Sequence, residues 1–162
     1  MGGRGAGARA GRGDVLAREG ESLQADGSAR LASIRELQQR LSGHREEIRS
    51  EMLASYQQRV QEIAGAAGIE VDRDRIAQEV VLMVEKGDIA EELTRLTHHV
   101  DQIEKALGRK EPAGKKLDFL SQEMLREVNT MGSKSRSAVL RSLVVELKTE
   151  VERVREQVQN VE

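Results

Sequence analysis

Apolar residues recur along most of this chain at steps of three and four, the period of a helix that buries one face. The clearest run is Ile89, Leu93, Leu96, Val100, Ile103 and Leu107, whose alternating steps make a heptad seam. A second seam runs from Leu140 through Leu147 and Val154 to Val161, on a helix predicted from about Ser137. Between them, Leu117, Leu120, Met124, Val128 and Met131 share one face of a helix predicted from about Leu117 to Gly132, a residue suited to a left-handed cap. Upstream, Asp72 or Asp74 is placed to cap a helix that carries Ile76, Val80, Met83 and Val84 inward and breaks at Gly87. The earliest stripe runs from Leu31 to Ile63, is narrow, is interrupted at His44 and Arg45, and ends at the GAAG stretch of Gly65 to Gly68.

These elements predict an all-α protein: a long helical arm over residues 14–70, then an antiparallel helical bundle or set of hairpins over 71–162. Residues 1–13, which contain only Gly, Arg and Ala after the Met, cannot bury enough apolar surface to offset their ordering entropy and are expected to be a disordered leader. Composition agrees with helices packed on aliphatic seams. One Phe, one Tyr and no Trp leave the core to Leu, Ile, Val, Met and Ala, and a single Pro leaves long helices uninterrupted.

Charge changes the picture only locally. With 26 basic and 28 acidic residues the whole chain steers nothing, so any binding of nucleic acid has to come from a patch. The absence of Cys excludes a disulfide framework, thiol catalysis and Cys-ligated zinc. No apolar run is long enough for a membrane span and no secretory h-region opens the chain, so the expected location is the cytoplasm, without a membrane partner.

Two stretches carry candidate chemistry. Asp88, Glu92, Arg95 and His99 lie along one edge of the first heptad helix. Two like charges one turn apart call for a cation between them, either Arg95 itself or a divalent metal held by hard oxygens. His99 lies two turns from Glu92, about 10 Å along the axis, so a second helix would have to complete any shared site. In GKKLDFLSQEMLREVNTMGSKS (Gly114 to Ser135), Asp118, Gln122, Arg126 and Asn129 cluster on the polar side, while Glu123, Glu127 and Thr130 line the flank. That face could contact phosphate or metal, or simply be solvated. The HExxH zinc spacing and the P-loop are both missing, so no nucleotide cofactor is expected, and Ser133 has no nearby base to activate it. Phe119, on the polar side, suits an oligomer interface better than a stacked base.

The words RIAQEVVLMVEKGDIAEELTRLTHHVDQ, GKKLDFLSQEMLREVNTMGSKS and VVELKTEVERVREQVQNVE, in that order and reaching the last residue, resemble the C-terminal part of the YicC endoribonuclease family. Long co-occurring words such as KLDFL and REVNTMGSKS are far more specific than a short motif. The resemblance implies a helical domain preceded in the family by a separate α/β domain, whose place the Gly/Arg leader takes here. It also implies metal-assisted cleavage of single-stranded RNA in a symmetric homo-oligomer. On that resemblance the catalytic candidates are Glu92, His99, Glu123 and Glu127. The RNA-binding candidates are Arg95, Lys116, Arg126 and Lys134, and the ligands for a divalent Mn or Mg are Asp88, Glu92, Asp118 and Glu123. Leu125 stands where the family usually has a polar residue, often Asn. The alternative function is a non-catalytic helical module for oligomerisation or RNA binding.

Overall fold

In the computed structural model, which describes residues 7–109 and 114–160, the chain forms six α-helices and, among those residues, no strand. They are α1 (Gly7–Gly43), α2 (Arg45–Ala67), α3 (Arg73–Lys86), α4 (Ala90–Leu107), α5 (Gly114–Ser133) and α6 (Ala138–Asn160). Residues 1–6 of the expected leader lie outside the described residues. Residues 7–13 differ from that expectation and extend α1, since adding a residue to an existing helix gains a hydrogen bond without a new nucleus.

Four of the helices close a ring. α1 packs on α4 and α6, α4 on α5, and α5 on α6, while the backbones of the diagonal pairs stay further apart. Cross-helix pairs fix the directions. Gln38 of α1 meets Thr97 of α4, while Arg35, one turn earlier, meets Asp101, so the two helices run antiparallel. Arg30 and Arg40 of α1 meet Glu150 and Glu146 of α6 in the same antiparallel sense. Arg95 and Glu92 of α4 meet Glu127 and Lys134 at α5. The result is an up-down four-helix bundle whose centre is filled by residues such as Ile34, Leu96, Met124, Met131 and Leu147, all fully buried. The stretch expected as an arm over 14–70 is divided at His44, and from Leu31 to Leu41 the stripe of α1 is one wall of this bundle.

The α2–α3 hairpin projects from the bundle at two breaks. One is at His44, where the apolar stripe was interrupted, and the other is at Gly87–Asp88, bridged to the first by Arg45 and Asp88 at 3.2 Å. Inside the hairpin, α2 ends on Gly68 with φ of 64°, a conformation that suits glycine, and α3 starts on Asp72, whose carboxylate accepts from the Asp74 N–H at 3.0 Å. Glu51 of α2 ties the hairpin to the bundle by accepting from the Ser137 hydroxyl at 2.6 Å and the Ala138 N–H at 3.0 Å, an anion at the N-terminus of α6. Gly132 makes no left-handed cap: α5 continues through Ser133, and Gly68 has the one positive φ among the described residues.

Placing α1 in the core has a direct test. Ile34→Ala is expected to destabilise the chain by roughly 2–5 kcal/mol in urea unfolding, the usual cost of a truncation at a fully buried site. Ile63→Ala, at a position 61% exposed on α2, is expected to change stability by less than about 0.5 kcal/mol.

Candidate functional site in the seam between α4 and α5

Packing of the two central apolar faces brings the charged edge of α4 against the flank of α5. The centre of this seam is Glu92, a carboxyl left only 2% exposed in the first turn of α4. Its Oε1 accepts from the Lys134 ammonium at 2.6 Å, and the Arg95 guanidinium stands 3.7 Å away. Its Oε2 is enclosed with no hydrogen-bond partner. Lys134 also donates to the Asp88 carbonyl at 3.2 Å, so the lysine just beyond α5 is pinned at the start of α4.

One turn further along, Arg95 donates through Nε to the buried carboxylate of Glu127 at 2.9 Å and reaches Glu91 at 3.4 Å. The hydrogen bond to Glu127 raises the Arg95 pKa above the ordinary guanidinium value, with its charge attraction adding to the effect, so Arg95 stays cationic at any working pH. The same antiparallel register carries His99 to the level of Glu123 on α5. His99 is half-buried, and its Nδ1 is enclosed without a partner. Buried polar atoms in folded proteins usually have a partner, whether protein, water or ion. Two that lack a protein partner, Glu92 Oε2 and His99 Nδ1, lie on one edge of α4.

The catalytic candidates Glu92, His99, Glu123 and Glu127 thus line a single seam. Their accessibility divides them. Glu92 and Glu127 are sunk between the helices with oxygens committed to Lys134 and Arg95, while Glu123 and His99 retain partial access to solvent. The buried acids therefore fix the positions of the two cations. Of the four RNA-binding candidates, Arg95 and Lys134 are held in this network and half-open to solvent. Lys116 is exposed on the first turn of α5, and Arg126 projects outward from the far side of that helix, 77% exposed.

The four acids proposed as ligands for a divalent cation are not brought together. Asp88 uses one oxygen to cap the Ala90 N–H at 3.1 Å and the other to meet Arg45. Asp118 accepts from the Gln122 amide at 3.0 Å near the start of α5, fifteen residues and so roughly 22 Å along the axis from the end that meets Glu92. Glu92 already has an ammonium at 2.6 Å, which would repel a dication. Among the described residues no group of three or more His, Asp or Glu side chains gathers as a metal site. The residues present do not fit the metal. Helical periodicity correctly named the edge of α4 but could not show that Lys134, 42 positions away, occupies the place reserved for a cation.

Comparison with known proteins places this seam in a family. The family model described as endoribonuclease YicC-like, C-terminal, matches residues 41–162. The chain is similar to a probable endoribonuclease YicC of Clostridioides difficile (strain 630), with 40% identity over 129 residues, covering 75% of this chain and 44% of that protein. It is also similar to a probable endoribonuclease YicC of Haemophilus influenzae (strain ATCC 51907 / DSM 11121 / KW20 / Rd), with 38% identity over 148 residues, covering 90% of this chain and 49% of that protein. The chain spans about half the length of these relatives.

The seam's electrostatics can be read from stability. Lys134→Ala strands Glu92 and is expected to cost about 2–3 kcal/mol in chemical denaturation, the low end for a broken buried pair because the lysine is partly open to solvent. Adding Glu92→Gln is expected to recover most of that loss, so the double variant should be markedly more stable than the sum of the two single losses predicts.

Proposed function

The chain belongs to the YicC-like endoribonuclease family, and from that premise we propose that it is the helical part of an enzyme that cleaves single-stranded RNA, with the α4–α5 seam as its reactive face. The observation that carries this reading is the arrangement around Glu92 and Glu127: two buried carboxylates hold Lys134 and Arg95 in fixed positions at the surface. Cations oriented in advance stabilise charge that develops on a phosphoryl group without reorganising during the reaction.

His99 supplies the proton chemistry. Cleavage forms a bond between phosphorus and an attacking oxygen and breaks the bond to the leaving oxygen, so one proton must be removed and one delivered. A half-buried imidazole beside Arg95 is suited to either transfer. Glu123, at the same level on α5, is the carboxylate assigned to orient that ring once substrate is bound. Glu92 and Glu127 are positioning residues, since their oxygens face Lys134 and Arg95 and not the solvent. No step is assigned to a divalent metal.

A second reading, a helical module that assembles copies of the chain, is favoured by a separate observation. On the projecting α2–α3 hairpin, Leu53, Ile69, Val71, Val81 and Leu82 are exposed, and so is Met83, which the helical pattern had turned inward. Two helices packed mainly on each other leave outer faces that a second pair can cover.

The two readings are separable. His99→Ala is expected to lower the turnover of a short single-stranded RNA by about 100-fold or more, within the usual range for losing a general acid or base. Glu127→Gln is expected to lower it less, and cleavage at the unaltered rate by both variants would remove the seam from the chemistry. Loss of activity on chelation with EDTA would point to ligands supplied from outside the four acids named here. For the assembly reading, Leu82→Glu is expected to shift sedimentation towards the monomer while leaving helix content unchanged.

A further inference from the structure

The seam cannot be where RNA gains its affinity. Its carboxylates, Asp88, Glu91, Glu92, Glu123 and Glu127, outnumber its cations, Arg45, Arg95 and Lys134, and each of those cations is already paired with an acid. A polyanion approaching that surface meets net negative charge, and the chain as a whole, at −2, offers no compensating attraction. Binding energy has to come from another surface close enough to feed the seam.

The other flank of α5 has the opposite character. A shallow open trough between α5 and α6 is lined by Gln122, Arg126, Asn129, Thr130, Ser133 and Arg155, and no carboxylate lines it. Arg126 has only a loose contact with Glu123 at 4.0 Å, a pair that offers little at so exposed a site. Arg155 makes no ion pair among the described residues, and its Nε is enclosed without a hydrogen-bond partner. A guanidinium packed into a surface depression with one nitrogen sealed and unpaired is an incomplete site, because that N–H has given up water for nothing in return. Asn129 adds an amide on the helix face between the two arginines, and Leu125 gives the trough an apolar patch.

We propose that this trough is a binding track for the phosphodiester backbone of single-stranded RNA, with Arg126 and Arg155 as its phosphate contacts. The proposal rests on the reading of the chain as part of an RNA-cleaving enzyme and adds to it the surface that supplies affinity. From Gln122 to Ser133 the trough extends roughly 16 Å along α5, long enough for a short run of nucleotides. Guanidinium groups bind phosphate bidentately, amides and hydroxyls complete the contacts, and the apolar patch accepts a sugar or base face. Because α5 carries the trough on one flank and the reactive seam on the other, a strand held along the first crosses the helix to reach the second. Sequence reasoning found Arg126 but missed Arg155, which lies on a heptad helix where an arginine reads as an ordinary solvated charge.

The test is fluorescence-anisotropy titration of this chain with a labelled single-stranded RNA oligonucleotide across a salt series. Arg155→Gln and Arg126→Gln are each expected to weaken binding several-fold and to reduce the slope of log K against log salt by about 0.7, the contribution of one single-strand phosphate contact. Arg59→Gln, which removes the same charge from an exposed site on α2, is expected to change neither. Circular dichroism melts of all three variants establish that the fold persists. In cleavage assays the trough variants are expected to raise KM and spare kcat, whereas His99→Ala lowers kcat, so loss of the seam chemistry and loss of the track give different results. Equal weakening by all three substitutions, unchanged binding by Arg155→Gln and Arg126→Gln, or no binding of RNA by the unaltered chain at low salt overturns the proposal.

Discussion

A carboxyl group buried to 2% exposure between two helices has to be neutralised, and Glu92 is neutralised by a lysine from the far end of the adjacent helix. Taking an ion out of water costs several kcal/mol, and a partner repays this only with close geometry. The 2.6 Å contact therefore constrains more than two side chains. It sets the register of α5 against α4, and through the Asp88 carbonyl it pins the end of α5 to the break that begins α4. With that register set, Arg95 falls opposite Glu127 and His99 falls level with Glu123. An apolar seam of Leu, Val and Met would pack about as well with a slip of one heptad, and the ion pairs discriminate against that slip.

The aliphatic core makes such discrimination necessary. With one Phe and no Trp, the bundle has few large shapes to lock one packing against another. Its polar cross-links occur at intervals along the pairs that α1 makes: Gln38 with Thr97 and Arg35 with Asp101 and Glu104 for α1 and α4, Arg30 with Glu150 and Arg40 with Glu146 for α1 and α6. Most are exposed and individually weak, so their role is to select a register among packings that burial alone leaves close in energy.

Much of this was legible before the structure, and what was missed follows a physical rule. The heptads located α4 and α6, the pair of acids at Asp72 and Asp74 bracketed the start of α3, and the GAAG stretch located the end of α2, because each is a local signal written within a few residues. The interruption at His44 and Arg45 was visible, but its meaning, a hinge that lets α1 serve the bundle while α2 leaves it, depends on contacts with α4 and α6. Gly132 was read as a cap because glycine permits a left-handed residue; permission is not requirement, and the backbone there stays helical. The candidate site divided in the same way. A helical wheel shows that Glu92 and His99 share an edge, yet cannot say that Lys134 fills the space a metal would need, or that Asp118 lies at the other end of α5.

The division of charge around α5 follows from that geometry. A seam that holds its cations with buried acids gains order at the expense of attraction, since every arginine or lysine fixed by a carboxylate contributes little field at a distance. Fixed cations serve a transition state; free ones serve an encounter. An enzyme acting on a polyanion needs both, and a single flank cannot provide them, because the carboxylates that fix the first kind cancel the second. Placing the ordered network on the α4 side of α5, and the loosely paired Arg126 with the ion-pair-free Arg155 on the other, resolves the conflict around one helix. It also accounts for the carboxylate-free face of α5 from Gln122 to Ser133, which the packing of the bundle does not use.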